Sequence, residues 1–171
     1  ALLWAQYRSG DYWDAHQGAR AARPDASAAP ARALALKDKP AELPWLTVRD
    51  AISDLPDPEF EPEAAGAFAY HRFQPGARSY PGHTGSPLDE PAKTLKAGVH
   101  GVPGGENMLA RPDGSVRYFS VRESARLQTF PDGFIFHGAW SEVMRQLGNA
   151  VPVRLAEVIG QDVARKLRRA A

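Results

Sequence analysis

Arg122-Glu123-Ser124-Ala125-Arg126-Leu127-Gln128-Thr129-Phe130-Pro131-Asp132 and, further on, Gln146-Leu147-Gly148-Asn149-Ala150-Val151-Pro152 decide how this chain is read. The first stretch is a helix that carries its own start signal. Ser120-Val121-Arg122-Glu123 has capping-box spacing, in which a hydroxyl and a carboxylate satisfy amides that the first helical turn leaves free. The helix should end near Thr129, because Phe130-Pro131-Asp132-Gly133 reads as a turn. Arg122 and Arg126 lie four apart on one face. With Gln128 they can bond the carbonyls of irregular loops, which need partners when buried. The second stretch predicts a short helix from Ser141 to Leu147, closed by Gly148 as a left-handed cap. Pro152 suits the first turn of a final helix. Val153, Ala156, Val158, Ile159, Val163 and Leu167 give that helix an apolar surface, and Arg165, Lys166, Arg168 and Arg169 place cations at its negative end.

Working backwards, Arg111-Pro112-Asp113-Gly114 between 107–110 and 115–119 predicts a β-hairpin. Residues 56–105 are dense in Pro and Gly, with Thr94-Leu95-Lys96-Ala97 as a short strand candidate. Thr47 and Asp50 predict a capped helix that Pro56 stops. Residues 18–44 carry prolines at 24, 30, 40 and 44 and read as a linker with room for a short helix over 31–38. Residues 1–17 read as two helical turns broken at Ser9-Gly10-Asp11.

A chain of 171 residues with 15 Gly and 15 Pro can bury a core but is expected to be rich in turns. Its net charge is +1, so any nucleic-acid contact must come from local cations, not from a global field. It contains no cysteine, which excludes disulfides, thiolate metal sites and thiol nucleophiles within this stretch. The five histidines show no paired-ligand spacing, so no metal is expected. No apolar run reaches the ~20 residues of a membrane span, and a soluble cytoplasmic protein is the expectation.

The two stretches resemble motifs IX and X, the last two motifs of DNA (cytosine-5)-methyltransferases. Thr94-Leu95 resembles the short Thr-Leu element of that family's recognition regions, and residues 1–16 and 46–56 resemble segments that follow motif VIII. The resemblance implies an α+β fold: a small irregular recognition domain with short antiparallel strands and a hairpin, followed by helices, without the family's Rossmann-like catalytic domain. It implies an N-terminal helical segment and linker over 1–45, a target-recognition domain over 46–136, and motif X with the closing helix over 137–171. Arg122, Glu123, Arg126 and Gln128 are expected to support the recognition loops. Asn149, Ala150 and Val151 are expected to edge an S-adenosylmethionine pocket completed by a catalytic domain.

The family reaction needs a cysteine thiolate on carbon 6 of a flipped cytosine. This chain has neither a Pro-Cys pair nor a Phe-x-Gly-x-Gly loop, so no residue is assigned a catalytic role and isolated activity is not expected. Glu106-Asn107-Met108 resembles the family's Glu-Asn-Val but falls in the wrong order, and Gln6-x-Arg8 half-matches motif VIII; neither is carried over. The start at Ala1 favours truncation or processing of a longer enzyme. A beta-type subunit of a split methyltransferase and a freestanding DNA-binding or interaction module are the alternatives.

Residues 70–106 are the candidate for base readout, because Arg and Lys grip guanine edges and Gln and Asn pair with adenine. Arg72, Arg78, Tyr80, His83, Lys93, Thr94 and Lys96 are the leading candidates for double-stranded DNA; His71, Gln74, Thr84, His100, Glu106 and Asn107 share the stretch. Glycines at 76, 82, 85, 98, 101, 104 and 105 would let loops approach a duplex. The last helix should show an apolar face without intramolecular cover, which predicts docking on the catalytic domain or self-association through 151–167.

Overall fold

The computed structural model describes residues 1–16, 19, 22–97 and 107–170. The chain divides into two compact units, Ala1–Leu46 and Thr47–Ala171. The first begins with α1 (Leu2–Trp4), a π-helical turn over Ala5–Ser9 and α2 (Asp11–Ala15), with Gly10 between them at φ +87°. This is the break that the Ser9-Gly10-Asp11 signal predicts. Tyr12, Trp13 and Ala19 are buried together with Leu2 and Ala5 at their edge. The Trp13 indole donates to Gln6 O at 2.8 Å. A short α3 (Ala31–Leu34) falls inside the predicted 31–38 window.

The second unit is an α+β arrangement. In chain order it contains α4 (Val48–Ile52), α5 (Pro62–Gly66), β1 (Ser86–Pro87), β2 (Met108–Ala110), β3 (Val116–Tyr118), α6 (Val121–Leu127), α7 (Trp140–Asn149) and α8 (Val153–Ala170). The strands form one sheet in the order β1-β2-β3. The β2–β3 pair is the predicted antiparallel hairpin, with Leu109 opposite Arg117. Its turn is closed by the Ser115 Oγ and N bonds to Asp113, and Gly114 stands at φ +85°. The β1–β2 pair is parallel, a feature absent from the antiparallel expectation, since two residues of β1 carry no periodicity that could announce it.

Among the described residues two small cores hold the unit. Val48, Ile52, Leu95, Leu109 and Phe119 pack beneath α4 and the sheet. Val121, Ala125, Phe136, Val143, Met144 and Leu147 join α6 to α7, with Tyr70, Phe130 and Trp140 at the edge. Both α4 and α6 carry complete capping boxes, Thr47 with Asp50 and Ser120 with Glu123. Cap satisfaction is local in sequence, which is why both starts could be read there.

Three further expectations fail. Gly148 is not a left-handed cap: α7 runs through it to Asn149, and Ala150 closes the helix in an extended conformation. A β-carbon at Gly148 would stand 2.7 Å from Ala97 N and 2.8 Å from the Lys96 carbonyl carbon, so this glycine serves a backbone contact. Thr94–Ala97 is not a strand; its partner is a side chain, described below. Pro152 precedes α8 instead of lying within it, although its carbonyl accepts from Ala156 N.

Candidate nucleic-acid interface

The support begins at α6. Glu123 is 1 % exposed; it accepts from its cap amide, Ser120 N, at 2.8 Å and takes both amino groups of Arg117 at 2.7 Å each. Arg117 Nε reaches Asp57, which also holds Arg111. Burial raises the Asp57 carboxyl, but the Glu59 amide and the two arginines outweigh it and hold the group below the usual carboxylate range. Arg122, 1 % exposed, donates to Ala69 O at 3.1 Å and Pro131 O at 3.4 Å. Arg126 forks onto Asp132 at 2.9 and 2.6 Å and reaches Asp54 and Ala51 O. The Gln128 amide donates to Leu147 O at 2.8 Å, tying α6 to α7. These groups therefore bind loop backbone and carboxylates within the unit.

His71 has no surface to offer a base. It is fully buried, with Nδ1 2.7 Å from Ser120 Oγ and Nε2 2.7 Å from Pro56 O. Because Pro56 O can only accept, the bond at Nε2 is donated by the ring, while the Ser120 hydroxyl can serve Nδ1 as donor or acceptor. Asn107 is likewise only 1 % exposed, and its amide is spent on backbone. Gly85 fails as a point of close approach to a ligand: a β-carbon there would sit 3.1 Å from both Ala110 N and Met108 O, so its missing side chain admits β2. Gly98, His100, Gly101, Gly104, Gly105 and Glu106 lie outside the described residues.

The leading candidates fall on the connections around the sheet. Arg72 and Arg78 are exposed. Tyr80-Pro81-Gly82-His83 is a tight turn with Gly82 at φ +83°, and the Tyr80 and His83 rings stack with centroids 4.4 Å apart. Pro in the second place and Gly in the third suit a type II turn. Arg78 and Tyr80 both bear on the Tyr118 phenol: burial pushes it up, Tyr80 adds to this and Arg78 opposes it. Lys93 Nζ donates to Thr84 Oγ1 at 2.9 Å, and Lys93 N donates to the buried Ser86 hydroxyl at 3.0 Å. Leu95 is 6 % exposed and belongs to the core beneath α4. In extended chain its neighbours point the other way, and Thr94 and Lys96 are indeed exposed.

Asn149 and Val151 stand on the surface, with Ala150 half-buried between them. They form an open edge, which does not by itself enclose an adenosyl cofactor. A cleft of about 510 Å³ beside α8 is lined by Thr129, Val153, Arg154, Glu157, Val158 and Gln161, and includes none of the three. Thr129, at φ +58°, takes Arg154 N on its hydroxyl at 2.9 Å, and Gln128 O takes Val153 N at 3.0 Å. Beyond this anchorage the apolar stripe is bare: Leu155, Ile159, Val163 and Leu167 are 51, 53, 50 and 66 % exposed.

Sequence reasoning missed Arg117 and Thr129, and it gave Asn107 a place in base readout instead of a structural role. An arginine inside a short strand, six residues before a capping glutamate, was the available signal for the first. The others act through contacts that only folding creates.

The chain belongs to the C-5 cytosine-specific DNA methylase family, whose pattern it matches over residues 69–165. It is similar to the type II methyltransferase M.SacI of Streptomyces achromogenes, 31 % identical over 152 residues, covering 74 % of this chain and 39 % of that one. It is similar to M.HindV of Haemophilus influenzae, 30 % identical over 133 residues, covering 75 % of this chain and 38 % of that one. M.AplI of Arthrospira platensis is 43 % identical over 77 residues, covering 44 % of this chain and 22 % of that one. The chain thus spans well under half the length of these relatives. Among the described residues no helix is long and apolar enough to cross a membrane.

Proposed function

We propose that this chain is the target-recognising end of a DNA (cytosine-5)-methyltransferase, the methylating member of a restriction–modification pair. Residues 46–136 read double-stranded DNA, residues 137–171 return to a catalytic segment, and residues 1–45 lead in. Arg72, Arg78, Tyr80, His83, Lys93, Thr94 and Lys96 face the duplex, while Arg122, Glu123, Arg126 and Gln128 hold the loops that carry them. The Rossmann-like catalytic segment supplies the thiolate and the greater part of the S-adenosylmethionine pocket; Asn149, Ala150 and Val151 contribute one edge. The protein acts in the cytoplasm.

The observation that carries this reading is the bare stripe of α8 in a family member that contains no cysteine. Each such side chain gains ~1.5–3 kcal/mol on burial, so four in line at i, i+4 spacing call for a cover. The catalytic segment is that cover, and in its absence α8 pairs with a second copy of itself. The test is reconstitution. Purified chain and a cysteine-bearing catalytic segment are assayed, apart and mixed, for methyl transfer from S-adenosylmethionine to duplex DNA. Activity only on mixing supports the reading. Methylation by the chain alone overturns it, and sequence-selective DNA binding that no partner alters favours a freestanding module.

A further inference from the structure

The segment that carries Thr94 and Lys96 is gripped from two sides. On one side the buried Asn107 amide imitates a strand partner: Lys96 N donates to its Oδ1 at 3.1 Å, and its Nδ2 donates to Lys96 O at 3.3 Å. Asn107 is itself fixed to the hairpin, since its carbonyl accepts from Phe119 N at 2.9 Å. On the other side lies Gly148 of α7, with space for a hydrogen but not a methyl against the Lys96–Ala97 peptide. Leu95 anchors the same stretch from below by entering the core. An extended chain with both peptide groups of one residue paired to a side-chain amide has little freedom to slip in register. Gly148 precedes Asn149 directly, so one rigid helix touches the segment and carries the edge residue.

We propose that Asn107 and Gly148 are positioning residues for target readout: together they clamp the Lys96 backbone between the hairpin and α7, and thereby aim the Thr94 and Lys96 side chains at the duplex. The inference rests on the DNA-reading role proposed above and adds the residues that set its geometry. Neither clamp residue touches DNA. Each acts through the peptide it holds, and α7 transmits any displacement of that peptide to Asn149.

The test pairs amide hydrogen exchange with DNA selection on the full chain. Asn107→Ser removes both bonds to Lys96 without adding bulk, and Gly148→Ala drives a methyl into the Lys96–Ala97 peptide. Gly66→Ala is the control, because nothing lies within 4 Å of a β-carbon there. Exchange at the Lys96 amide should quicken about tenfold in Asn107→Ser, as loss of one or two hydrogen bonds requires. A randomised duplex pool is passed over each protein and the retained sequences are read. Wild type and Gly66→Ala should retain the same preferred sequences, and both clamp variants should lose about tenfold in preference, the scale of one misplaced base contact. If Gly148→Ala does not fold, Asn107→Ser carries the test.

Unchanged Lys96 exchange in Asn107→Ser overturns the clamp. Faster exchange with undiminished selection overturns its positioning role. A wild-type chain that retains no duplex overturns the recognition reading itself, and the exchange data then separate that failure from failure of the clamp.

Discussion

α6 and α8 both mix apolar and charged residues along a helix, yet they live in opposite surroundings. α6 has seven residues, of which Val121, Arg122, Glu123, Ser124 and Ala125 are buried, two of them charged. α8 has 18 residues, and its largest apolar side chains are half or more exposed. A helix as short as α6 is marginal alone, since nucleation is costly and few bonds repay it. Tertiary partners hold it: the capping box, the Arg117 fork and the Arg122 bonds. α8 is ~27 Å long at 1.5 Å per residue and carries Asp162 bridges to Arg165 and Lys166 at i+3 and i+4. It stands on local interactions and presents its stripe outward. Helices of the same unit thus form a buried prop in one place and present an exposed apolar stripe in the other.

The comparison breaks most easily at the buried charges. Glu123→Ala should cost about 3 kcal/mol, because it removes the two short bonds of the buried Arg117 guanidinium and leaves it only the longer contacts to Asp57 and Tyr118 O; urea denaturation followed by circular dichroism measures this. A loss below about 1 kcal/mol would mean that α6 does not depend on its partners as argued. The contrast in pH response is next. Arg126 hydrogen bonds hold the Asp132 carboxyl below its ordinary value, burial opposing, and Asp57 is also depressed. A depressed carboxylate contributes stability above its unfolded pKa, and this is lost as pH falls through the folded one. The second unit should therefore weaken as pH drops below about 4. Asp57→Asn should flatten that acid limb in a pH series of thermal melts.

Thr129 joins the two helices, and a subtler effect is expected there. Thr129→Ala removes the hydroxyl that caps Arg154 N but keeps the left-handed backbone, and should lower stability by about 1 kcal/mol. Thr129→Gly loses the same bond but relieves the strain, so its melting curve should lie closer to wild type. The smallest effect on folding belongs to the stripe. Ile159→Glu with Val163→Glu should shift unfolding by within about 0.5 kcal/mol, as exposed substitutions do. It should nevertheless abolish association of the chain with itself or with a catalytic segment, read by analytical ultracentrifugation. Strong destabilisation of the monomer would show that the stripe is already covered.

How much could be read in advance followed the range of each signal. Ser120 with Glu123, Thr47 with Asp50, and Asp113-Gly114 were legible because each cap or turn completes itself within four residues. His71, Asn107 and Gly148 were misjudged because their partners lie far along the chain: Ser120 for the first, Lys96 for the second, the Lys96–Ala97 peptide for the third. Residue chemistry suggested a DNA reader for the first two and a cap for the last. Packing converted all three into fixtures of the interior.

Read alone, the order of residues was sufficient to place the chain in its family, locate its caps and hairpin, and show that no thiol chemistry can occur in this stretch. Those conclusions need only neighbours and residue identities. Which polar groups face solvent, which glycine admits a passing backbone, and which apolar stripe stays uncovered were decided in three dimensions. They depend on contacts between residues tens of positions apart, whose closeness is a result of folding and cannot be seen before it.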